Sequence, residues 1–249
     1  GSNFAKNEYI FTNQGTNTII PEGVLLANDA AGTAITGIAS SSGAASVVQS
    51  GGNVTFNDTG AAGGSFIYNA ASGTASDTAY VAINRAQAGE ATLDGTGASE
   101  VLLGRDGSTA DTLNGNAGND KLYGLGGADT LVGGAGADMM TGGAGADTFT
   151  IASGNTALTI SGSGNNGVVT GYDVITDFVV GTDILNLNGT PTAAANTTGV
   201  NGNDSALTVG GSTIKSHAIS NGIITFDDAN TFGSALTLNT AGDLAAAVQ

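Results

Sequence analysis

The chain of 249 residues contains no cysteine, no tryptophan and only two prolines. Without cysteine it cannot belong to the small secreted domains that disulfides hold together. Basic residues are scarce: five Lys and Arg stand against 21 Asp and Glu, which gives a formal net charge of −16. Such a surface repels nucleic acid and anionic membranes. No apolar run approaches the roughly 20 residues of a membrane-spanning helix, so we expect neither nucleic acid nor membrane insertion.

Glycine and aspartate are abundant. The 42 glycines, together with many Ala, Thr and Asn residues, favour an all-β fold with many tight turns over a helical one. Asp accounts for 17 of the acidic residues. Carboxylates are hard oxygen ligands that suit Ca²⁺, so an Asp-rich, Lys-poor chain gains most from divalent cations. The composition therefore points to a β protein that binds cations.

Residues 1–86 have the strand pattern of a β-sandwich. Alternating apolar residues in GNVTFN, GSFIYNA and DTAYVAIN predict inward faces formed by Val54, Phe56, Phe66, Tyr68, Tyr80, Val81 and Ile83. VLLANDAAGTAITGI followed by GSFIYNAASGTASDTAYVAIN resembles the cadherin-like, Ig-like modules of large bacterial surface adhesins. The resemblance implies an Ig-like module over residues 1–86, with Asn28, Asp29 and Asp77 as calcium candidates; an Asx turn is the alternative role for them. Residues 87–93 read as a polar linker.

A strict nine-residue period follows, seen in GLGGADTLVGGAGADMMTGGAGADTF. The register is set by Asp111, Asp120, Asp129, Asp138 and Asp147. An apolar residue stands two positions after each of them: Leu113, Leu122, Leu131, Met140 and Phe149. This period fits neither a helix of 3.6 residues per turn nor an alternating strand, so a different geometry must set it.

Six turn residues and three strand residues make half a coil, so two units of 18 residues close one turn of a flattened solenoid. Leu113, Leu131 and Phe149 then stack in one sheet, and Leu122 and Met140 in the other. Asp residues 18 apart lie in columns at the strand spacing of about 4.8 Å, where their charges repel. The resulting cation sites lie at the pairs Asp111–Asp129, Asp120–Asp138 and Asp129–Asp147, with a weaker one at Glu100.

The units resemble the G-G-x-G-x-D-x-U-x repeats of the RTX (repeats-in-toxin) family. The resemblance implies a right-handed parallel β-roll over residues 94–150 that binds about three to five Ca²⁺ ions. Besides the five Asp carboxylates, it implies ligation by the carbonyls of Gly115, Ala117, Gly124, Gly126, Gly133, Ala135, Gly142 and Ala144. Turn capping by the Asp side chains is the alternative interpretation.

YDVITDFVVGTDILNLNG resembles the segment that follows RTX arrays and closes the open end of the roll. The resemblance implies a roll continuation and cap over residues 151–190, with Asp173, Asp177 and Asp183 as ligands of a terminal ion. Residues 191–249 predict a β-rich extension that the end of this chain truncates. DLAAAVQ at that end predicts the first turns of a helix with Asp243 as its N-cap.

The chain offers no catalytic constellation. His217 is the only histidine, and neither H-E-x-x-H nor G-x-S-x-G occurs, so we expect no enzyme. The family resemblance implies a secreted protein at the surface of a Gram-negative bacterium, adhesin or surface-layer-like, that folds on calcium after type I secretion. Its partners would be calcium and either further copies in a lattice or a host ligand. The alternative is the non-catalytic secretion domain of an exported hydrolase or cytotoxin.

Overall fold

A computed structural model describes residues 3–60, 62–152, 159–161, 168–188, 197–200, 208–209, 212–213, 216–220 and 223–227. The chain divides into two compact units. The first comprises Gly1–Ile151 and Asp173–Asn186, and the second comprises Ala152–Tyr172 and Leu187–Gln249. Within the described residues, one short helix accompanies a series of strands. The expected all-β character is therefore confirmed at this level.

The first seven strands build two facing sheets. They and the helix are β1 (Glu8–Thr12), β2 (Asn17–Pro21), α1 (Glu22–Leu25), β3 (Ala34–Ser42), β4 (Ala44–Ser50), β5 (Asn53–Asp58), β6 (Gly63–Ser72) and β7 (Ala75–Asn84). One sheet contains the order β1-β7-β6-β3, and the other has the order β2-β5-β4. All these pairs are antiparallel except β1 with β7.

A single hydrophobic core joins the two sheets. Ile20 and Phe56 of one sheet are buried in the same cluster as Phe66 and Tyr68 of the other. Six of the seven predicted inward residues are buried, which confirms the alternation: Val54, Phe56, Phe66, Tyr68, Val81 and Ile83. The prediction for Tyr80 is wrong, since its side chain is 40 % exposed. Neighbouring residues in a strand point to opposite faces, so Tyr80 and Val81 cannot both face inward.

The repeats form short parallel strands in two stacks. They are β8 (Thr92–Asp94), β9 (Val101–Leu103), β10 (Thr112–Asn114), β11 (Lys121–Tyr123), β12 (Thr130–Val132), β13 (Met139–Thr141) and β14 (Thr148–Ala152). Leu113 pairs with Leu131, which pairs with Phe149, and Leu122 pairs with Met140 in the other stack. The predicted assignment of apolar residues to sheets is confirmed, and together they form a second core.

Four further strands are β15 (Thr159–Ser161), β16 (Val168–Thr170), β17 (Val174–Ile175) and β18 (Ile184–Asn188). Strand β17 pairs in parallel with β13, and β18 is the neighbour of β14. The ring of Phe178 lies 6.1 Å from that of Phe149, the last apolar residue of the predicted array. The parallel stacks therefore continue past the insertion that separates β14 from β17.

The second unit contains antiparallel pairs. Strand β15 pairs with β16, and the remaining strands are β19 (Thr197–Val200), β20 (Thr208–Val209), β21 (Ser212–Thr213), β22 (Ser216–Ser220) and β23 (Ile223–Asp227). Strand β22 lies between β19 and β23, and β20 pairs with β21. His217 belongs to β22. The helix predicted to begin at Asp243 lies outside the described residues.

Strand β1 joins the sandwich to the repeats. It pairs in parallel with β7 on one side and with β9 on the other, so that Ile10 lies between Ile83 and Val101. The result is one eight-stranded sheet with the order β17-β13-β11-β9-β1-β7-β6-β3. Both segments therefore lie in the same compact unit.

Residues 87–93, the expected linker, make specific hydrogen bonds to the neighbouring backbone. Strand β8 begins inside this segment, at Thr92. The Gln87 side chain both donates to the backbone oxygen of Asp94 and accepts from its N–H, at 2.7 Å each. The Gly89 N–H donates to the Asn13 oxygen at 2.8 Å. The polar groups of this segment bind the neighbouring backbone. Composition alone does not distinguish such groups from polar groups that are hydrated by solvent.

The Asp candidates in the sandwich anchor the chain that leads into β1. The Asp77 carboxylate accepts hydrogen bonds from the N–H groups of Phe4 and Ala5, at 2.9 and 3.2 Å. The Asp29 carboxylate accepts from the Lys6 N–H at 2.6 Å and from the Tyr68 hydroxyl at 3.0 Å. These contacts give both side chains a structural role without a cation.

A buried carboxyl group lies on the joining strand. Glu8 is 4 % exposed, and its Oε1 atom has no hydrogen-bond partner. The nearest cation is the ammonium of Lys121, 3.8 Å from that oxygen. The pKa of Glu8 is raised from 4.5 to about 7, chiefly by burial; the Lys121 charge opposes this shift and the Asp29 charge adds to it. The ionised form of Glu8 is therefore unfavourable in the folded protein.

We expect Glu8→Gln to stabilise the protein at pH 8 by about 1–2 kcal/mol. A carboxyl group whose pKa is raised by folding favours the folded state below its ordinary value of 4.5, and this contribution is lost as the pH rises through about 7. Urea unfolding of both proteins at pH 5, 7 and 8, with calcium present, measures the difference. Glu90→Gln, at an exposed position, is the control. An equal pH dependence in wild type and Glu8→Gln would contradict this account.

Candidate metal sites

The turns of the roll bring the acidic residues into two ladders. One ladder consists of Asp111, Asp129, Asp147 and Asp183, and the other of Glu100, Asp120, Asp138 and Asp173. In each step, the backbone N–H of one acidic residue donates to Oδ1 of the next, at 2.8–3.0 Å. Parallel strand pairing fixes this spacing, so the predicted columns of Asp residues are present.

The second carboxylate oxygen of the inner residues has no partner. The Oδ2 atoms of Asp120, Asp129, Asp138 and Asp147 are buried and accept no hydrogen bond. Burial raises the pKa of Asp120 and Asp129 to about 7 and also raises the pKa of Asp138 and Asp147. Neighbouring carboxylates in the same ladder contribute to these raised pKa values, and the backbone hydrogen bonds to Oδ1 oppose them. A buried, unpaired anionic oxygen is costly unless a cation compensates it.

Glycine backbones leave room beside each unpaired oxygen. A methyl group added at Gly124 would lie 2.4 Å from Asp129 Oδ2 and 2.6 Å from the Gly142 carbonyl oxygen. At Gly115 it would lie 2.7 Å from Asp120 Oδ2 and 2.3 Å from the Gly133 carbonyl oxygen. A carboxylate oxygen and a carbonyl oxygen from the next coil therefore converge on a space that any side chain would fill. These are the oxygen types that calcium takes.

The predicted carbonyl ligands fall into two groups. The carbonyls of Gly133 and Gly142 converge with Asp120 and Asp129 as just described. The carbonyls of Gly115 and Gly124 lie in the same way one coil earlier, each 2.8 Å from a methyl group added at Gly95 or Gly104. The Ala135 and Ala144 carbonyls accept hydrogen bonds from the N–H groups of Gly118 and Gly127, both at 2.9 Å. Ala117 and Gly126 form isolated parallel bridges with those two alanines.

The acidic residues predicted after the insertion also reach the ladders. Asp173 and Asp183 accept from the N–H groups of Asp138 and Asp147, both at 3.0 Å. Asp177 accepts from the N–H groups of Gly142 and Gly143, at 3.0 and 2.7 Å. Asp173 and Asp183 thus continue the Asp columns, whereas Asp177 caps the backbone of a turn.

Sequence reasoning missed the groups that meet the first Asp. Asn13 of the sandwich donates its amide to Asp111 Oδ1 at 2.9 Å, and the guanidinium of Arg105 lies 2.6 Å from the same oxygen. Gln14 donates to the Gly104 carbonyl at 3.0 Å. The sandwich thereby supplies hydrogen bonds to the first coil of the ladder. Arg105 could have been noticed as one of only five basic residues, close before the first Asp of the period.

The oxygen geometry favours calcium. Among the described residues, no three His, Cys, Asp or Glu side chains cluster as a metal site. The oxygens that do converge are carboxylates and backbone carbonyls, a mixture typical of calcium and unlike the nitrogen and sulfur sets of zinc. Magnesium demands a tight octahedron and retains several waters, so it fits these turns less well.

The fold and the ladders define a class of protein: a parallel solenoid whose turns present rows of carboxylates to cations. A comparison with protein families matches the RTX calcium-binding nonapeptide repeat at residues 94–130, 105–140 and 124–156. The chain thus contains RTX repeats, which bind calcium and occur in secreted bacterial proteins, and this part of it is a calcium-binding structural module. No curated protein and no solved structure matches significantly. No helix of the described residues could span a membrane.

Proposed function

We propose that the chain is a calcium-dependent structural module of a bacterial surface protein that leaves the cell by type I secretion. The observation that supports it best is the set of four buried, unpaired carboxylate oxygens, each beside a glycine turn. Their ladders need cations, and the RTX repeats are calcium-binding elements. We therefore propose that bound calcium serves to fold the repeats rather than to catalyse a reaction.

Calcium binding makes the free energy of folding of the repeats favourable. Without it, the ladders hold desolvated charges close together, and the glycine-rich turns cost additional backbone entropy to order. Extracellular calcium modules have dissociation constants of about 10⁻⁴ to 10⁻³ M. At 100 times the dissociation constant, each bound ion adds about 2.7 kcal/mol of stability. The repeats would stay unfolded in the calcium-poor cytosol, pass through a secretion channel, and fold outside.

We infer that residues 1–86 are an Ig-like module. The orders β2-β5-β4 and β7-β6-β3 correspond to the B-E-D and G-F-C orders of the Ig fold, with β1 as an additional strand beside β7. Such modules act as spacers in adhesins. The eight-stranded sheet extends this spacer directly into the roll, which favours a load-bearing surface protein over the secretion domain of a hydrolase or cytotoxin.

A calcium titration tests the proposal. The full chain is first freed of calcium with EDTA, and far-UV circular dichroism then follows the addition of Ca²⁺, with Mg²⁺ as the control ion. We expect a cooperative gain of β signal with Ca²⁺ at submillimolar to millimolar concentrations, and little change with Mg²⁺. A spectrum that is fully β in EDTA and does not respond to Ca²⁺ would contradict it.

The surface role predicts partners that can also be tested. In a surface-layer-like protein the partner is a second copy, whereas in an adhesin it is a host or matrix ligand. Sedimentation velocity with and without calcium distinguishes them: growth into large assemblies with calcium supports the lattice. A monomer at all calcium concentrations favours the adhesin.

A further inference from the structure

Asp111 is the exception among the five periodic Asp residues. Its Oδ1 accepts hydrogen bonds from the Asn13 amide at 2.9 Å and from Arg105 Nε at 2.7 Å. Its Oδ2 accepts from the backbone N–H of Arg105 at 2.7 Å. The side chain of Asp111 is fully buried. Both of its oxygens are therefore paired, whereas each of the other four Asp residues keeps a buried oxygen without a partner.

A two-residue insertion makes this pairing possible. The unit from Gly104 to Asn114 has 11 residues instead of nine. Arg105 follows the glycine that begins the unit, and its side chain reaches forward to Asp111 and to the Ala110 carbonyl, at 2.9 Å. The guanidinium is planar and permanently charged, and it binds a carboxylate through directed N–H groups. It thus brings one positive charge to the carboxylate.

The head of the other ladder is also satisfied by the chain itself. The backbone N–H of Thr96 donates to the Glu100 carboxylate at 3.0 Å, and the Thr96 hydroxyl donates to its other oxygen. A methyl group at Gly95 would lie 3.0 Å from Glu100 Oε2, compared with 2.3–2.7 Å for the equivalent contacts at Gly115, Gly124, Gly133 and Gly142. The coil nearest the sandwich therefore lacks the unpaired oxygens of the following coils.

We propose that Arg105 takes on Asp111 the role that calcium has on the other four Asp residues: its backbone N–H binds Oδ2, the oxygen left unpaired on the others, and its guanidinium supplies the positive charge at Oδ1. Asp111 is then not a calcium ligand, and the first coil is closed by a resident cation. This inference rests on the proposed calcium-dependent folding of the repeats. With Asn13 and Gln14 tying it to the sandwich, the first coil forms without calcium and acts as the template on which the calcium-dependent coils assemble.

The calcium count of single variants tests this assignment. Wild type, Asp111→Asn and Asp129→Asn are dialysed to equilibrium against a saturating calcium buffer, and bound calcium per chain is obtained from the difference in calcium between the protein solution and the dialysate. We expect Asp129→Asn to lose one ion per chain and Asp111→Asn to lose none. A loss of one ion by Asp111→Asn, equal to that of Asp129→Asn, overturns the inference and leaves the proposed function intact.

Hydrogen exchange in EDTA supplies a second measurement that does not depend on bound calcium. In wild type we expect the peptide spanning residues 104–114 to exchange at least tenfold more slowly than the peptide spanning residues 130–141. Arg105→Gln should remove this difference, and Arg105→Lys, which keeps the charge, should restore part of it. Equal exchange of the two peptides in wild type overturns the template. If wild type binds no calcium, the proposed function fails, while this comparison still decides whether Arg105 holds the first coil.

Discussion

Asp129→Asn loses one calcium ion and about 2–3 kcal/mol of unfolding free energy at saturating calcium. Asp129 is an inner member of its ladder: it donates its N–H to Asp147, accepts from the N–H of Asp111, and keeps a buried Oδ2 atom. Asn has the same size and preserves the oxygen that accepts from Asp111. It replaces the unpaired oxygen by an amide NH₂, which repels a cation.

The same substitution has the opposite effect when calcium is absent. In EDTA, the carboxylate of Asp129 is a desolvated charge whose pKa burial raises to about 7, so a neutral amide at this position removes an unfavourable charge at pH 8. We expect the Asp129→Asn protein to keep as much β structure as wild type in EDTA, or more. A purely structural role for the side chain predicts no such reversal, because lost packing and hydrogen bonds cost the same in both solutions.

Urea unfolding at 10 times and 100 times the midpoint concentration of calcium measures the first effect, and the far-UV β signal in EDTA measures the second. Asp106→Asn is the matched control, since Asp106 is exposed in the same repeat region and the substitution removes the same charge. We expect the control to change the free energy of unfolding by less than about 0.5 kcal/mol in every solution. Equal effects of the two substitutions would show that net charge, rather than a specific site, governs stability.

The ladders could be predicted from the sequence because their cause is local. Each turn repeats the same residues at the same spacing, so one parallel pair sets the register of all the others. Leu113 beside Leu131 follows from the period alone, and so does the hydrogen bond from Asp111 to Asp129. The exposure of Tyr80 could also have been predicted, because strict alternation with the buried Val81 requires it.

The junction could not be predicted in this way because its cause is long-range. Ile10 pairs with Val101, and Asn13 reaches Asp111 across 98 residues of sequence. The sequence around Asn13 contains no repeat that would indicate its hydrogen-bond partner. Residues 87–93 look like a linker because they are polar, although Gln87 uses its amide to bind the backbone that begins the roll. Only the folded chain shows which polar groups are satisfied by protein rather than by water.

The second large effect is expected at Gly136, which lies in a turn between two coils. Its φ is +135°, in a region that side chains rarely adopt, and an added Cβ would lie 1.7 Å from the Gly118 carbonyl oxygen of the preceding coil. We expect Gly136→Ala to lower the free energy of unfolding by about 3 kcal/mol or more with calcium present, since strain and steric overlap act together.

Gly97→Ala is the matched control for Gly136→Ala, because Gly97 is exposed and an added Cβ there meets no atom within 4 Å. Urea unfolding and the calcium count of both variants provide the test. The backbone of the 133–141 unit also contributes the Gly133 carbonyl beside Asp120, so moving Gly136 away from Gly118 should weaken calcium binding as well as stability. A Gly136→Ala protein with wild-type stability would contradict the close coil contact. The shared turn geometry predicts that coil packing and calcium binding are lost together. A destabilised variant that still binds every ion would contradict that prediction.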